Sequence, residues 1–136
     1  MRSTYKIAIA FALLMSGVPT EGNAQCSFSS RTGEWKSNDG GIYHVREFGN
    51  ELWWVGLSPD GGRQYTNVFK GVFNSDKTLV EGSWVDVRGA QGARGFGSMQ
   101  LRVNGTASLQ KVSSSGGAFG ATSWVQPCHD TNQVGR

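Results

Sequence analysis

Two cysteines, two histidines and three prolines are all that this 136-residue chain contains of those residue types, and each scarcity closes off a class of function. His44 and His129 stand far apart, and no His, Cys or Asp cluster has the spacing of a metal site, so no metal and no cofactor are expected. Lys and Arg never form a run, and the net charge is only +3, which gives no footprint for nucleic acid. Beyond the first two dozen residues, nothing approaches the roughly 20 apolar residues of a membrane-spanning helix, so no stable membrane anchor is expected. Sustained helical periodicity is missing as well. What the chain has in abundance is glycine, 20 residues, and aromatic side chains at 11%.

The start has the three parts of an export signal. Arg2 and Lys6 are basic, residues 7–15 (IAIAFALLM) are an unbroken apolar run, and Gly17 and Pro19 break it. Small residues at Gly22 and Ala24 suit a signal peptidase, which places the cut between Ala24 and Gln25. Cys26 follows at once, but Gln25 before it and Asn23 three before it do not make a lipobox, so the product is expected to be free of lipid. The expected organisation is a leader over 1–24, one domain over 25–128 and a frayed polar tail over 129–136, in a secreted or periplasmic protein. Removing 24 residues from 136 leaves 112, enough for one modest core. In an oxidising compartment Cys26 and Cys128 are expected to pair. A bridge closing so long a loop removes on the order of 4–5 kcal/mol of unfolded-state entropy in the simple chain model. It also predicts that the two ends of the domain meet.

Between those ends the chain reads as extended segments divided by turn residues. Strands are expected at 33–37, 42–48, 51–58, 65–74, 78–87, 96–104, 106–112 and 118–126. Gly49-Asn50 and Asn104-Gly105 read as tight hairpin turns, the 88–95 stretch (RGAQGARG) as a loop, and 113–117 as a flexible link. Tyr43 and Val45 alternate with His44 and Arg46, and Met99, Leu101 and Val103 with Ser98, Gln100 and Arg102, as in half-buried antiparallel strands. Trp53 beside Trp54 and Val68 beside Phe69 put large groups on both faces of their strands. Eight sequential strands with free edges invite aggregation, and closing the sheet removes the edges. The expected fold is therefore all-β, a single small antiparallel up-and-down barrel, with a two-sheet sandwich as the rival. Glycines 56, 71, 82, 97 and 120 suit the bends of such a barrel. An eight-stranded interior is either filled by side chains or just holds one small ligand.

Gly33-Glu34-Trp35 opens the first strand and resembles the Gly-x-Trp signature of calycin barrels, the lipocalin and avidin-like group. That resemblance implies a Trp plugging one end of the barrel. A longer pattern over 33–124 is similar to a group of uncharacterised bacterial secreted proteins. It comprises Gly33, Trp35, Asp39-Gly40-Gly41, Tyr43, Gly49-Asn50, Trp53-Trp54, Gly56, Asn67-Val68-Phe69, Gly71, Gly82, Trp84, Asp86 and Val87. No activity comes with it.

Catalysis is poorly provisioned, and no catalytic residue is assigned. His44 reads as a rim or surface residue. Asn67, Asp86, Gln100 and Arg102 interrupt apolar strands; Asp86 is the better inward residue, with Asn67 or Arg102 as partner, while Gln100 and Arg102 are expected to face solvent. Adjacent Trp53 and Trp54 must point to opposite faces. Tryptophan rings stack on sugars and flat ligands and are enriched at binding surfaces. The leading expectation is a non-enzymatic binding module for a small molecule, sugar or protein, with Tyr43, Trp54, Asn67, Trp84 and Asp86 at the pocket or its rim. The alternatives are a protease-inhibitor-like protein–protein module working through loop 59–64 or 89–95, and a small barrel isomerase or hydrolase with Asp86 as acid or base.

Overall fold

The structure, a computed structural model, describes residues 27–87, 95–117 and 119–128. The expected leader and its Ala24–Gln25 cut, Cys26, most of the 88–95 loop, His129 and the tail lie outside the described residues. Alternating apolar and polar residues give eight strands: β1 Gly33–Ser37, β2 Ile42–Phe48, β3 Glu51–Leu57, β4 Thr66–Phe73, β5 Leu79–Asp86, β6 Phe96–Asn104, β7 Ser108–Ser114 and β8 Ser123–Val125. Each pairs antiparallel with its sequence neighbour, and β8 returns to β1 through Lys36↔Val125 and Ser37↔Trp124, closing one barrel. The sandwich is thereby excluded, and the barrel is consistent with a calycin-like architecture. Gln126 Nε2 donates to the Thr32 carbonyl at 3.3 Å, so the two ends of the described domain meet. Cys128 ends the described chain there, while the pairing with Cys26 stays an expectation.

Six of the expected strands lie within one residue of their observed bounds at each end; the last two do not. A two-residue Asn104-Gly105 turn would pair Val103 with Thr106 and set Leu109 opposite Gln100, on the solvent face. Instead residues 105–107 form a three-residue loop, Asn104 pairs with Ser108, and Leu109 sits opposite Val103 and Trp124 inside. Burial of one leucine face outweighs the preferred turn, because a one-residue slip turns every side chain over. Pairing continues to Ser114, its register shifted by one at a bulge at Gln100/Leu101, through residues expected to be a flexible link. The expected 118–126 strand shrinks to Ser123–Val125, since Phe119 turns inward to cover the barrel mouth, and Gly120 lies in a loop.

The interior is filled. Trp35, Tyr43, Trp54, Phe69, Trp84, Met99, Leu101, Leu109 and Trp124 are all buried, as expected for the smallest closed barrels. Trp54 stacks on Phe69 with centroids 4.4 Å apart and meets Tyr43 edge-on at 5.4 Å. Trp53, its sequence neighbour, points outward and is 43% exposed.

One end is closed by a charged network. Trp35 donates its indole N–H to the Arg31 carbonyl at 2.9 Å, and Arg31 Nε donates to the Gly105 carbonyl at 3.0 Å. The Arg31 guanidinium also pairs with Glu47 at 3.1 Å and lies 5.2 Å from the centre of the Phe73 ring. Lys77 Nζ reaches the other Glu47 oxygen at 2.8 Å. Burial pushes the Glu47 carboxyl up, but the hydrogen bonds from Lys77 and Arg31 outweigh that and hold it below its ordinary value. A carboxyl depressed in the folded state contributes stability that is present above its unfolded pKa and lost as pH falls through the folded one. Urea midpoints should therefore fall between pH 6 and pH 3, and the fall should be smaller in Glu47→Gln. Arg31→Ala should cost about 1–3 kcal/mol at pH 7, because it leaves the largely buried Glu47 carboxylate with Lys77 alone and the Gly105 carbonyl without its donor.

Candidate functional site

The opposite end, where residues 38–41, 58–65, 115–117 and 119–122 gather, is the barrel mouth. Register alone assembles its inner wall: Tyr43 pairs with Gly56, Gly56 with Asn67, and Asn67 with Asp86, one inward row across β2 to β5. The next row is Val45, Trp54, Phe69 and Trp84. Gly56 leaves the space that its neighbours fill. A Cβ there would lie 2.3 Å from Tyr43 Cε1 and 2.7 Å from Asn67 Oδ1.

A cleft of about 50 Å³ opens between these residues, lined by Asp39, Tyr43, Tyr65, Asn67, Trp84, Asp86, Phe119, Gly120 and Ala121. At about 10–15 Å³ for each water centre, it holds a few water-sized groups. Four of the five residues expected at a pocket therefore line one cleft. Trp54 does not; it donates its indole N–H to Asn67 Oδ1 at 2.9 Å. An indole N–H is a donor only, so this bond fixes the Asn67 carboxamide and leaves its NH₂ on the side away from Trp54. Asp86 accepts from the Gly95 amide at 2.7 Å; the partnership with Arg102 is not formed, since Arg102 is exposed on the outer face. Gln100 and His44 also face outward.

Sequence reasoning missed Asp39, Tyr65 and Phe119. Asp39 sits in the turn after β1 and accepts from the Ser37 hydroxyl, from the Gly41 amide at 3.0 Å and from the Tyr65 hydroxyl at 3.1 Å. Loop 58–65 brings Tyr65 there and is bound to itself: Ser58 Oγ accepts from the Gln64 amide at 3.1 Å, and Asp60 accepts from the Arg63 amide at 2.9 Å. Phe119 packs edge-on against Trp84, centroids 4.9 Å apart, under a carbonyl that accepts from Lys111 Nζ at 2.5 Å. The available signals were an Asn-Asp-Gly-Gly turn and an aromatic residue alone in a Ser- and Gly-rich stretch. Neither marks a direction for its side chain.

Burial raises the pKa of the Tyr43 hydroxyl, and burial together with Tyr43 and Asp39 raises that of Tyr65. Both are protonated donors at neutral pH. Tyr65 spends its proton on Asp39. The Tyr43 hydroxyl and the Trp84 indole N–H are buried and have no hydrogen-bond partner among the described residues. Each unmet group costs about 1–3 kcal/mol. Among the described residues no Lys or Arg pairs with Asp39 or Asp86, and no three His, Cys, Asp or Glu side chains converge.

No family model, curated protein or solved structure matches this chain. The cleft is therefore read from its own chemistry: unspent donors, a carboxylate at each side, and aromatic walls.

Proposed function

We propose that this chain is an exported, non-enzymatic binding module of the bacterial secreted type, recognising a small molecule, sugar or protein at the mouth of its barrel. The observation that carries the reading is a pair of donors without partners among the described residues, Tyr43 Oη and Trp84 Nε1, on residues that line one cleft with Asn67 and Asp86. A buried polar group left unpaired is rare and calls for an explanation, which a ligand supplies. The packed interior leaves no room for a ligand in the barrel centre, so the mouth takes one end of it. Export rests on the leader-like 1–24 stretch.

A ligand screen followed by indole fluorescence and by ¹H–¹⁵N spectra tests this. A true ligand should move the Trp84 indole signal, and Asp86→Asn should weaken it about tenfold, the loss of one charge-assisted hydrogen bond. Ligands that bind without disturbing Trp84, or equally well to Asp86→Asn, contradict the reading. The protein–protein alternative draws on a different observation. Val55, Val68, Val85 and Phe96 pair in one outward row across β3 to β6, and Val68, Val85 and Phe96 with Trp53 line an apolar depression of about 550 Å³. A partner protein seated there would shift the Trp53 indole and be weakened by Phe96→Ala but not by Asp86→Asn.

A further inference from the structure

Resting on that reading of the mouth, we infer that the group it accepts is the hydroxyl-bearing edge of a neutral sugar. Asp39 is already occupied by three donors of the protein, from Ser37, Gly41 and Tyr65. Asp86 has one bond in the described structure, on Oδ2 from Gly95, so it is the acceptor the cleft offers to a ligand. Against it stand two donors, the Tyr43 hydroxyl and the Trp84 indole N–H, neither with an acceptor among the described residues, while the Asn67 side chain lies against the Tyr43 hydroxyl.

An anion meets Asp39 and Asp86, which no Lys or Arg pairs among the described residues, and is repelled. A cation satisfies Asp86 but brings no acceptor to Trp84, whose N–H can only donate. A hydrocarbon satisfies neither. A hydroxyl group donates once and accepts twice, so two neighbouring hydroxyls of one ring can give a proton to Asp86 and receive from Tyr43 and Trp84. The space fits an edge of such a ring, a few water-sized groups, rather than the whole of it. Phe119 and Trp84 line the same cleft and give the C–H face of the ring an apolar wall.

The test uses the mature domain labelled with ¹⁵N and titrates it with methyl glycosides of glucose, galactose, mannose and N-acetylglucosamine. Chitotriose and maltotriose are added as chain ends, glycerol as a ring-free polyol, and butylammonium, methylguanidinium and acetate as charged probes. At least one glycoside or oligosaccharide should shift the Trp84 indole resonance saturably, with Asp86→Asn about tenfold weaker and Asp39→Asn weakened less. A monosaccharide equal to its trimer identifies a free sugar as sufficient; a tighter trimer identifies a glycan end. If butylammonium or methylguanidinium saturates the Trp84 signal and no sugar does, the sugar inference is overturned while recognition at the mouth stands. If no probe of any class moves Trp84, the sugar inference is overturned. Recognition at the mouth then falls too if the wider screen is equally silent.

Discussion

Trp54→Ala is expected to lower the stability of the domain by about 3–5 kcal/mol, the cost of emptying a buried aromatic site. Trp54 is 2% exposed and holds the middle of the barrel from three sides. It stacks on Phe69, lies 5.2 Å from the Trp124 ring, and receives the edge of Tyr43. Its removal also strips Asn67 Oδ1 of its donor and frees the carboxamide that shapes the cleft. At roughly 4–8 °C per kcal/mol for a domain of this size, the melting temperature should fall by more than about 12 °C. Trp53→Ala is the matched control: one residue away, it removes a ring that faces solvent and should cost under about 1 kcal/mol. Equal losses in the two variants would mean that the assigned faces of β3 are wrong. Trp54→Phe should fall between them, since it keeps a ring against Phe69 but leaves the Asn67 carbonyl unpaired.

Gly82→Ala is expected to be at least as damaging, although it adds a single methyl group. A Cβ at position 82 would stand 2.0 Å from the Lys70 carbonyl oxygen and 2.4 Å from Gly71 Cα. Those are backbone atoms of the facing strand, where Gly71 and Gly82 pair directly, and no side-chain rotation relieves the contact. An open sheet could splay, but here β4 and β5 are each bonded on their other side within a closed ring. Overpacking of a core usually costs about 1–3 kcal/mol, and a clash with backbone in a closed barrel should exceed that, at about 3 kcal/mol or more. Urea unfolding measures it. Gly49→Asn is the contrast, because position 49 has a φ of 57° but no atom near its missing Cβ, and Asn tolerates that conformation. A Gly82→Ala variant as stable as Gly49→Asn would show that β4 and β5 do not approach so closely.

These two variants also mark what could be read in the chain beforehand. Alternation placed Tyr43 and Val45 inside, and adjacency forced Trp53 and Trp54 to opposite faces; both follow from the two-residue period of a strand, which is local. Closure was inferred from edges that had to be hidden. The mouth row followed less directly. Asn67 and Asp86 drew notice as polar residues in apolar strands, yet their meeting with Tyr43 depends on the register of four strands. Where a turn preference alone was used to set register, at Asn104-Gly105, burial of Leu109 shifted it. Asp39, Tyr65 and Phe119 reach the cleft from loops, whose paths are set by contacts such as Tyr65 to Asp39 that no periodicity encodes. Arg31, closing the far end, lies ahead of the first strand and gave no pattern at all.

Two donors are held ready in a walled cleft at one end of a filled, eight-stranded ring. A high-resolution crystal structure of the mature domain with the cleft unobstructed by lattice contacts tests that most directly. The expected result is an ordered water or solute within hydrogen-bond distance of Tyr43 Oη and Trp84 Nε1, with Asn67 still held by Trp54. A collapsed cleft, in which both donors reach protein acceptors, would contradict it.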